Sequence, residues 1–330
     1  MNILHSKPFK FLTILVLSAI VFSITVITVF GAAGVDWTQS ASMPGWSARH
    51  AHSSLVYDNK MWVMGGWDGS YDLNDVWYST SGSNWSWTES TSSANWSDRY
   101  CAGALVFDNK MWIMGGRTYS GTFFADVWYS TSGSSWTQAD SYADWGYRAI
   151  ANGALVFDNK MWIMGGWDGS YAHDDVWYSS DGSSWYCATS SPGWSDRYGL
   201  AVVVYDNKMW VMGGYNSTEG YFNDVWYSTN GSSWTQATSS ANWTARESPC
   251  LLVFDNKMWI IGGSFYTDVW YSTNGSSWTQ AASSLTWLDM LYFSTIVYNN
   301  KMWVMGGYGT KLSPAERDDI YYSNSDIWTP

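Results

Sequence analysis

Residues 58–79 read DNKMWVMGGWDGSYDLNDVWYS, two apolar runs parted by a glycine pair, and close variants of these words return five more times along the 330-residue chain. Anchored on the lysine of each NKMW, the copies fall at Lys60, Lys110, Lys160, Lys208, Lys257 and Lys301, spaced 50, 50, 48, 49 and 44 residues apart. A period near 49 residues is that of four-stranded propeller blades and is too long for the usual leucine-rich or tetratricopeptide repeats.

Within one unit every signal is β. SSLVY and KMWVM flank Asp58-Asn59, a dipeptide suited to a tight hairpin turn, and so form strands a and b. Gly65-Gly66 ends strand b, DVWYS supplies strand c, and a glycine turn (TSGSNW, later TNGSSW and SDGSSW) precedes the Trp of strand d. No stretch after Gly34 has convincing helical periodicity. A lone four-stranded sheet of this size cannot cover both its faces. It must stack on neighbours, and radial stacking leaves no long exposed edge.

Composition agrees with a packed core. The chain holds 27 Trp and 23 Tyr while charged residues make only 13%, the reverse of a disordered composition. A buried Trp removes about 150 to 250 Å² from water, so most of these rings are expected to be structural. Cys101, Cys187 and Cys250 are too few and too scattered for a disulfide framework or a paired-cysteine metal site, and are expected as buried thiols.

The first residues differ from the rest. Lys7 and Lys10 precede an uncharged stretch, residues 11–30, followed by Gly31-Ala32-Ala33-Gly34, small residues where a signal peptidase cuts. Residues 1–33 therefore read as a signal peptide or, at that apolar length, a signal anchor, with 34–330 as the propeller, secreted or at the cell surface. Loss of the two lysines would move the formal charge from −12 to −14, which argues against a nucleic-acid partner. Contact with a membrane is expected only through such an anchor, and the propeller is expected to be monomeric.

The chain resembles the kelch-repeat propellers, marked by the glycine pair closing strand b and by a Tyr and a Trp with six residues between them: Tyr78 and Trp85, Tyr129 and Trp136, Tyr178 and Trp185, Tyr227 and Trp234, Tyr271 and Trp278. In the sixth unit Tyr322 and Trp328 have five between. The resemblance covers roughly residues 37–329 and implies an all-β, six-bladed kelch-type β-propeller with four-stranded antiparallel blades. Trp37-Thr38-Gln39 matches the strand d words at Trp136, Trp234 and Trp278, so residues 37–40 are expected to complete the last blade, as a terminal strand does in many kelch propellers. The rival expectation is the front part of a longer ring.

Enzymatic chemistry has thin support. A copper oxidase like galactose oxidase, itself a kelch protein, would have only His50, His52 and His173 to draw on, and His50 and His52 alternate to opposite faces of strand a. Ser179-Ser180-Asp181-Gly182-Ser183-Ser184-Trp185 is similar to the sialidase turn motif but one residue shorter between Asp and Gly, and Glu occurs just four times. Asp68, Asp72 and Asp75 invite calcium, yet their order is not that of an EF-hand, and turn chemistry accounts for them. No cofactor or metal is expected.

A further constellation is positional. Arg49, Arg99, Arg148, Arg197 and Arg246, five of the seven arginines, each follow a Trp by three residues at the d–a junction, and radial symmetry would gather them at one mouth of the channel. The resemblance implies that d–a and b–c loops share the ligand face, so these arginines would flank Trp67, Arg117, Trp167, Tyr215, Ser264 and Tyr308, with Asp68 and Asp168 beside them. Two readings stay open: ligand-binding arginines, or arginines paired locally, as Asp98-Arg99 and Asp196-Arg197 suggest, and stacked on their Trp. The b–c loop is short in blade 5 (264–267) and long in blade 6 (308–318), which suggests a notch over blade 5 walled by Lys311, Glu316 and Arg317. The expected function is a protein- or glycan-binding or adhesion module outside the cytoplasm, with a secreted carbohydrate-active enzyme as the alternative.

Overall fold

The computed structural model describes residues 33–309 and 315–324. Five blades are complete antiparallel sheets of four sequential strands: blade 1 runs Ser53–Tyr57, Lys60–Trp67, Asp72–Ser79 and Trp87–Thr91, and blade 2 runs Gly103–Phe107, Lys110–Met114, Val127–Ser130 and Thr137–Asp140. Blades 3, 4 and 5 follow the same plan, from Ala154–Phe157 to Thr279–Ala282. Outside the strands, one 3-10 turn, Thr286–Leu288, is the helical departure among the described residues.

Strand a of every blade packs on strand a of the next, and that of blade 6 (Ser294–Tyr298) packs on that of blade 1, so the ring is closed and the longer-ring expectation is wrong. Closure is made by the chain's beginning. Trp37–Ala41 pairs antiparallel with Ala315–Asn324, strand c of blade 6, placing Trp37 opposite Ser323 and Gln39 opposite Tyr321. The expected role of residues 37–40 therefore holds. Of the signal or anchor expectation for residues 1–33, residues 1–32 lie outside the described residues, as do residues 311 and 328. Ala33 packs against the core between blades 5 and 6.

The repeat words have specific tasks. Asp58 and Asn59 take φ of 49° and 52°, the left-handed pair that a two-residue hairpin turn needs. The Trp of KMW donates its indole N–H across the a–b hairpin, Trp62 to the Tyr57 carbonyl and Trp112 to Phe107, both at 2.9 Å. That same indole lies over the glycine of the next blade's c–d turn. Gly133 and Gly182 have φ of 78° and 79°, and a Cβ at either would fall inside the ring of Trp62 or Trp112, so no other residue fits. At the closure Gly34 takes this place against Trp259, and its amide donates to Ser323 Oγ at 3.0 Å, as Gly133 donates to Ser130 Oγ at 2.8 Å. Two separate pieces of chain thus rebuild the turn that the other blades make continuously.

The core is six wedges, each between adjacent blades; that between blades 1 and 2 includes Leu55, Trp62, Met111, Ile113 and Trp136. In five of them the Trp before the d–a arginine meets the strand d Trp edge to face, Trp96 with Trp136 at 6.0 Å, and in the sixth Trp287 meets Trp37 at 5.0 Å, tilted by 54°. In blade 1 that partner is Trp87, 5.9 Å from Trp46, while Trp85 is 76% exposed. The expected pairing of Tyr78 with Trp85 is corrected: a two-residue insertion in the turn moves the structural Trp to 87. The cysteines differ too. Cys250 is buried, Cys101 partly so, and Cys187 exposed.

Candidate functional site: the channel mouth

Each d–a arginine is a structural tie. Arg49, Arg99, Arg148, Arg197 and Arg246 are at most 2% exposed. Each forks onto the strand c aspartate of its own blade, Asp75, Asp126, Asp175, Asp224 and Asp268, with the shorter bond 2.6 Å in every case. The same guanidinium donates to the first carbonyl of the glycine pair, Arg49 to Gly65 at 3.0 Å and Arg99 to Gly115 at 2.9 Å. The aspartate also accepts the indole N–H two residues on, Asp75 from Trp77 at 2.7 Å. Both forked guanidinium nitrogens and both carboxylate oxygens are thus engaged inside the blade, so the expectation that these arginines hold ligand is corrected. Asp98 and Asp196 are not their partners either.

With the arginines tucked under, the next residue reaches the mouth. His50 bridges Trp67, Tyr100 bridges Arg117, Ala149 bridges Trp167, Tyr198 bridges Tyr215 and Leu291 pairs with Tyr308. In blade 5 the Glu247 amide donates to Ser264 Oγ at 2.7 Å. The expected residues after the glycine pairs therefore stand at the rim, each joined to a d–a residue that the repeat had hidden. One position further, or two in blade 3, Ala51, Cys101, Ala151, Gly199, Ser248 and Tyr292 all have φ between 47° and 58°. Backbone bonds tie several in series, Ala51 N–H to the Tyr292 carbonyl at 2.7 Å and Cys101 N–H to Ala51 at 2.9 Å. This ring separates a mouth cavity of about 340 Å³ from a chamber of about 160 Å³ deeper in the channel.

The mouth is walled by rings. Trp67 stacks on Tyr119 at 4.4 Å, Trp167 meets Phe123 at 5.4 Å and Tyr198 at 5.8 Å, and Tyr198 meets Tyr215 at 5.5 Å. His50 lies 5.7 to 6.4 Å from Tyr308, Tyr292 and Tyr100. Arg117 sits among three of these walls, its guanidinium carbon 5.1 Å from the Tyr100 centroid and 5.2 Å from those of Phe123 and Trp167. Tyr71, Tyr119, Tyr171, Tyr221 and Phe265, one on each b–c loop of blades 1 to 5, are 49% to 74% exposed around it.

Burial disfavours the charged forms of the other mouth groups. It pushes the Tyr100 and Tyr198 hydroxyls and the Cys101 thiol up to about 12, and raises Tyr292 further. It lowers His50 against the pull of Glu316, 3.7 Å away, and raises Glu247, whose carboxylate accepts from Tyr292 at 3.5 Å. Glu316 thus leans toward blade 1, where a Cβ on Gly69 would touch it, and does not wall a notch over blade 5. That short loop closes on itself, Tyr266 N–H to Gly263 at 2.8 Å.

The aspartates serve turns. Asp68 accepts the amides of Ser70 and Tyr71 at 2.9 and 2.7 Å, and Asp168 those of Ser170 and Tyr171, both at 2.7 Å. Asp168 also meets His173 Nε2 at 3.2 Å; burial pushes its carboxyl up, but these donors outweigh it and hold it low. Asp72 turns to the Tyr119 amide and Asp75 to Arg49, so the three aspartates of the blade 1 loop do not converge. Asp181 caps its own turn through Ser183 and Ser184, which accounts for the sialidase-like sequence. Among the described residues no three of His, Cys, Asp and Glu gather as a metal site. His52 lies under the mouth, bonded to Ser294 Oγ at 2.7 Å, away from His50.

A family model described as Kelch motif matches residues 48–78 and 196–239. Among curated proteins, a leucine-zipper-like transcriptional regulator 1 homolog of Drosophila melanogaster is 49% identical over 43 residues, 13% of this chain and 4% of that protein. The shared stretch is thus shorter than one blade repeat, and the chain spans a small part of that relative's length.

Proposed function

Starting from a chain that is a kelch-repeat β-propeller, a fold that suggests a protein-binding module, we propose that it binds a protein or glycan outside the cytoplasm through its d–a and b–c face. The observation that carries this is the mouth cavity of about 340 Å³, walled by aromatic rings from several blades around a single guanidinium. Concave, ring-lined sites with a few placed polar groups are where ligands are held. The residues that take part are Trp67, Arg117, Trp167, Tyr215 and Tyr308, joined by His50, Tyr100, Tyr198 and Tyr292. The five d–a arginines hold the loops that present them.

Export is supported by the lysine-flanked apolar stretch, residues 11–30, and the small residues after it. In a host with a Sec pathway the protein is expected outside the cytoplasm; a soluble cytoplasmic form that keeps its first thirty residues would contradict this. The binding reading is tested by parallel glycan and protein arrays run beside a screen for glycan hydrolysis and oxidation. Binding without turnover, weakened by Trp167→Ala, is the expected result. Turnover abolished by mouth substitutions would establish the carbohydrate-active enzyme instead.

A further inference from the structure

We infer that the mouth cavity is a subsite for one carboxylate carried on a sugar ring, an acidic monosaccharide unit of a glycan, with Arg117 as the group that receives it. This rests on the reading of the mouth as the binding face and adds the ligand's chemical class.

The chain has seven arginines. Five hold aspartates in bidentate ties, and Arg317 lies 3.7 Å from Asp319. Arg117 has no carboxylate within ion-pair distance among the described residues. The acid that feels its charge, Asp72, spends both oxygens on the Tyr119 amide at 3.0 Å. Among the described residues Arg117 Nε is buried with no hydrogen-bond partner, as are those of Arg148 and Arg317, but Arg117 alone of the three has no carboxylate beside it. A cation held in an aromatic cage with a buried donor unmet is costly until an anion arrives, and the guanidinium fork matches a carboxylate.

The rest of the wall defines what carries that carboxylate. Tyr100, Tyr198 and Tyr292 come from blades 2, 4 and 6, so hydroxyls stand at intervals around the cavity, and burial keeps them protonated. A polyol offers partners to several of these at once. A peptide carboxylate on its slender stem would reach Arg117 and leave them unmatched in a cavity of about 340 Å³. The rings of Trp167 and Tyr198 supply the flat apolar wall that a sugar's C–H face covers. One Arg or Lys among the residues lining the cavity, in a chain of formal charge −12, also favours a single acidic unit over a run of them.

The test is calorimetric titration with a panel of uronate oligosaccharides, sialyllactose, the methyl ester of each, and a glutamate-containing acidic peptide. At least one acidic saccharide should bind, its ester about tenfold or more weaker. Arg117→Gln should weaken the acid by about ten- to a hundredfold, as loss of a charge-assisted bond does, and leave the ester unchanged. The ester comparison stands even where that variant fails to fold, and Arg117→Lys, which keeps charge without the fork, should retain part of the affinity. Equal binding of acid and ester, Arg117→Gln with undiminished affinity, or binding of the peptide alone would overturn the inference. Absence of any saccharide binding would do so too. If an array ligand still depends on Trp167 in those cases, the acid is refuted and the binding face stands; if it does not, the face itself is refuted.

Discussion

Arg197→Met separates a structural arginine from a ligand-binding one. Arg197 is fully buried, forks onto Asp224 at 2.6 and 3.0 Å, and donates to the carbonyls of Gly213 at 3.1 Å and Ser195 at 3.0 Å. Its guanidinium also lies 3.8 Å from the Phe222 centroid. Methionine keeps much of the stem and removes the charge, leaving Asp224 with only the Trp226 indole at 2.8 Å. Breaking a buried pair from one side costs about 3 to 5 kcal/mol. Asp224 keeps 13% of its side chain in water, which places the expectation near the low end, about 3 kcal/mol. At roughly 2 °C per kcal/mol for a chain this long, the melting temperature should fall by about 6 °C. Adding Asp224→Asn should restore at least about 1 kcal/mol, since the stranded charge goes with it. Blade 6 already carries such a variant: Met290 stands where the arginine would be, and Asp319 takes the Gln39 amide at 2.7 Å instead. Thermal and urea melts of the four proteins read the cycle. A single variant that melts within a degree of the parent while losing ligand would refute the reasoning and return the arginines to the mouth.

Gly182→Ala should cost several kcal/mol, because the new Cβ would enter the Trp112 ring at φ of 79°; Gly34→Ala should do the same at the closure, read by chemical denaturation. His52, held down to about 3 by burial and then by Arg49 and His50, is neutral in the fold and charged in the unfolded chain at acid pH. Its contribution is complete above about 6.5 and is lost at about 1.4 kcal/mol per pH unit as pH falls from there toward 3, so His52→Gln should flatten that limb of the stability profile. Burial pushes the Asp175 carboxyl up, but Arg148 and Trp177 outweigh it, so its share of stability survives to pH near 4 and is lost only below. Chelators should leave the melting temperature unchanged; a fall restored by calcium or copper would contradict the turn roles of Asp68 and Asp168.

The blades were legible because each must rebuild the same interface. Asp58-Asn59, the glycine pair and the KMW word recur for reasons local to one hairpin, and Trp37-Thr38-Gln39 betrayed the closing strand by repeating a strand d word. What stayed hidden lies across the blade. Arg49 finds Asp75, not an adjacent acid, since the partner is set by the return of strand c. The glycine of each c–d turn serves the Trp of the preceding blade, a contact that no single repeat displays. The mouth was the least legible part. His50, Tyr100, Ala149, Tyr198, Glu247 and Leu291 occupy one structural position with five residue types among six, so the repeat could not mark them. The arginine before all but Leu291 was the available signal, and it pointed one residue short.

The central claim, that ligand is held at the mouth, is tested most directly by hydrogen exchange with and without an array-selected ligand. Protection is predicted at 99–101, 117–123, 167–173 and 198–199, the segments that bring Tyr100, Arg117, Trp167 and Tyr198 together. Protection confined to the opposite end, at the 58–59 turn and at 82–85 beside the exposed Trp85, with the mouth amides unchanged, would contradict it.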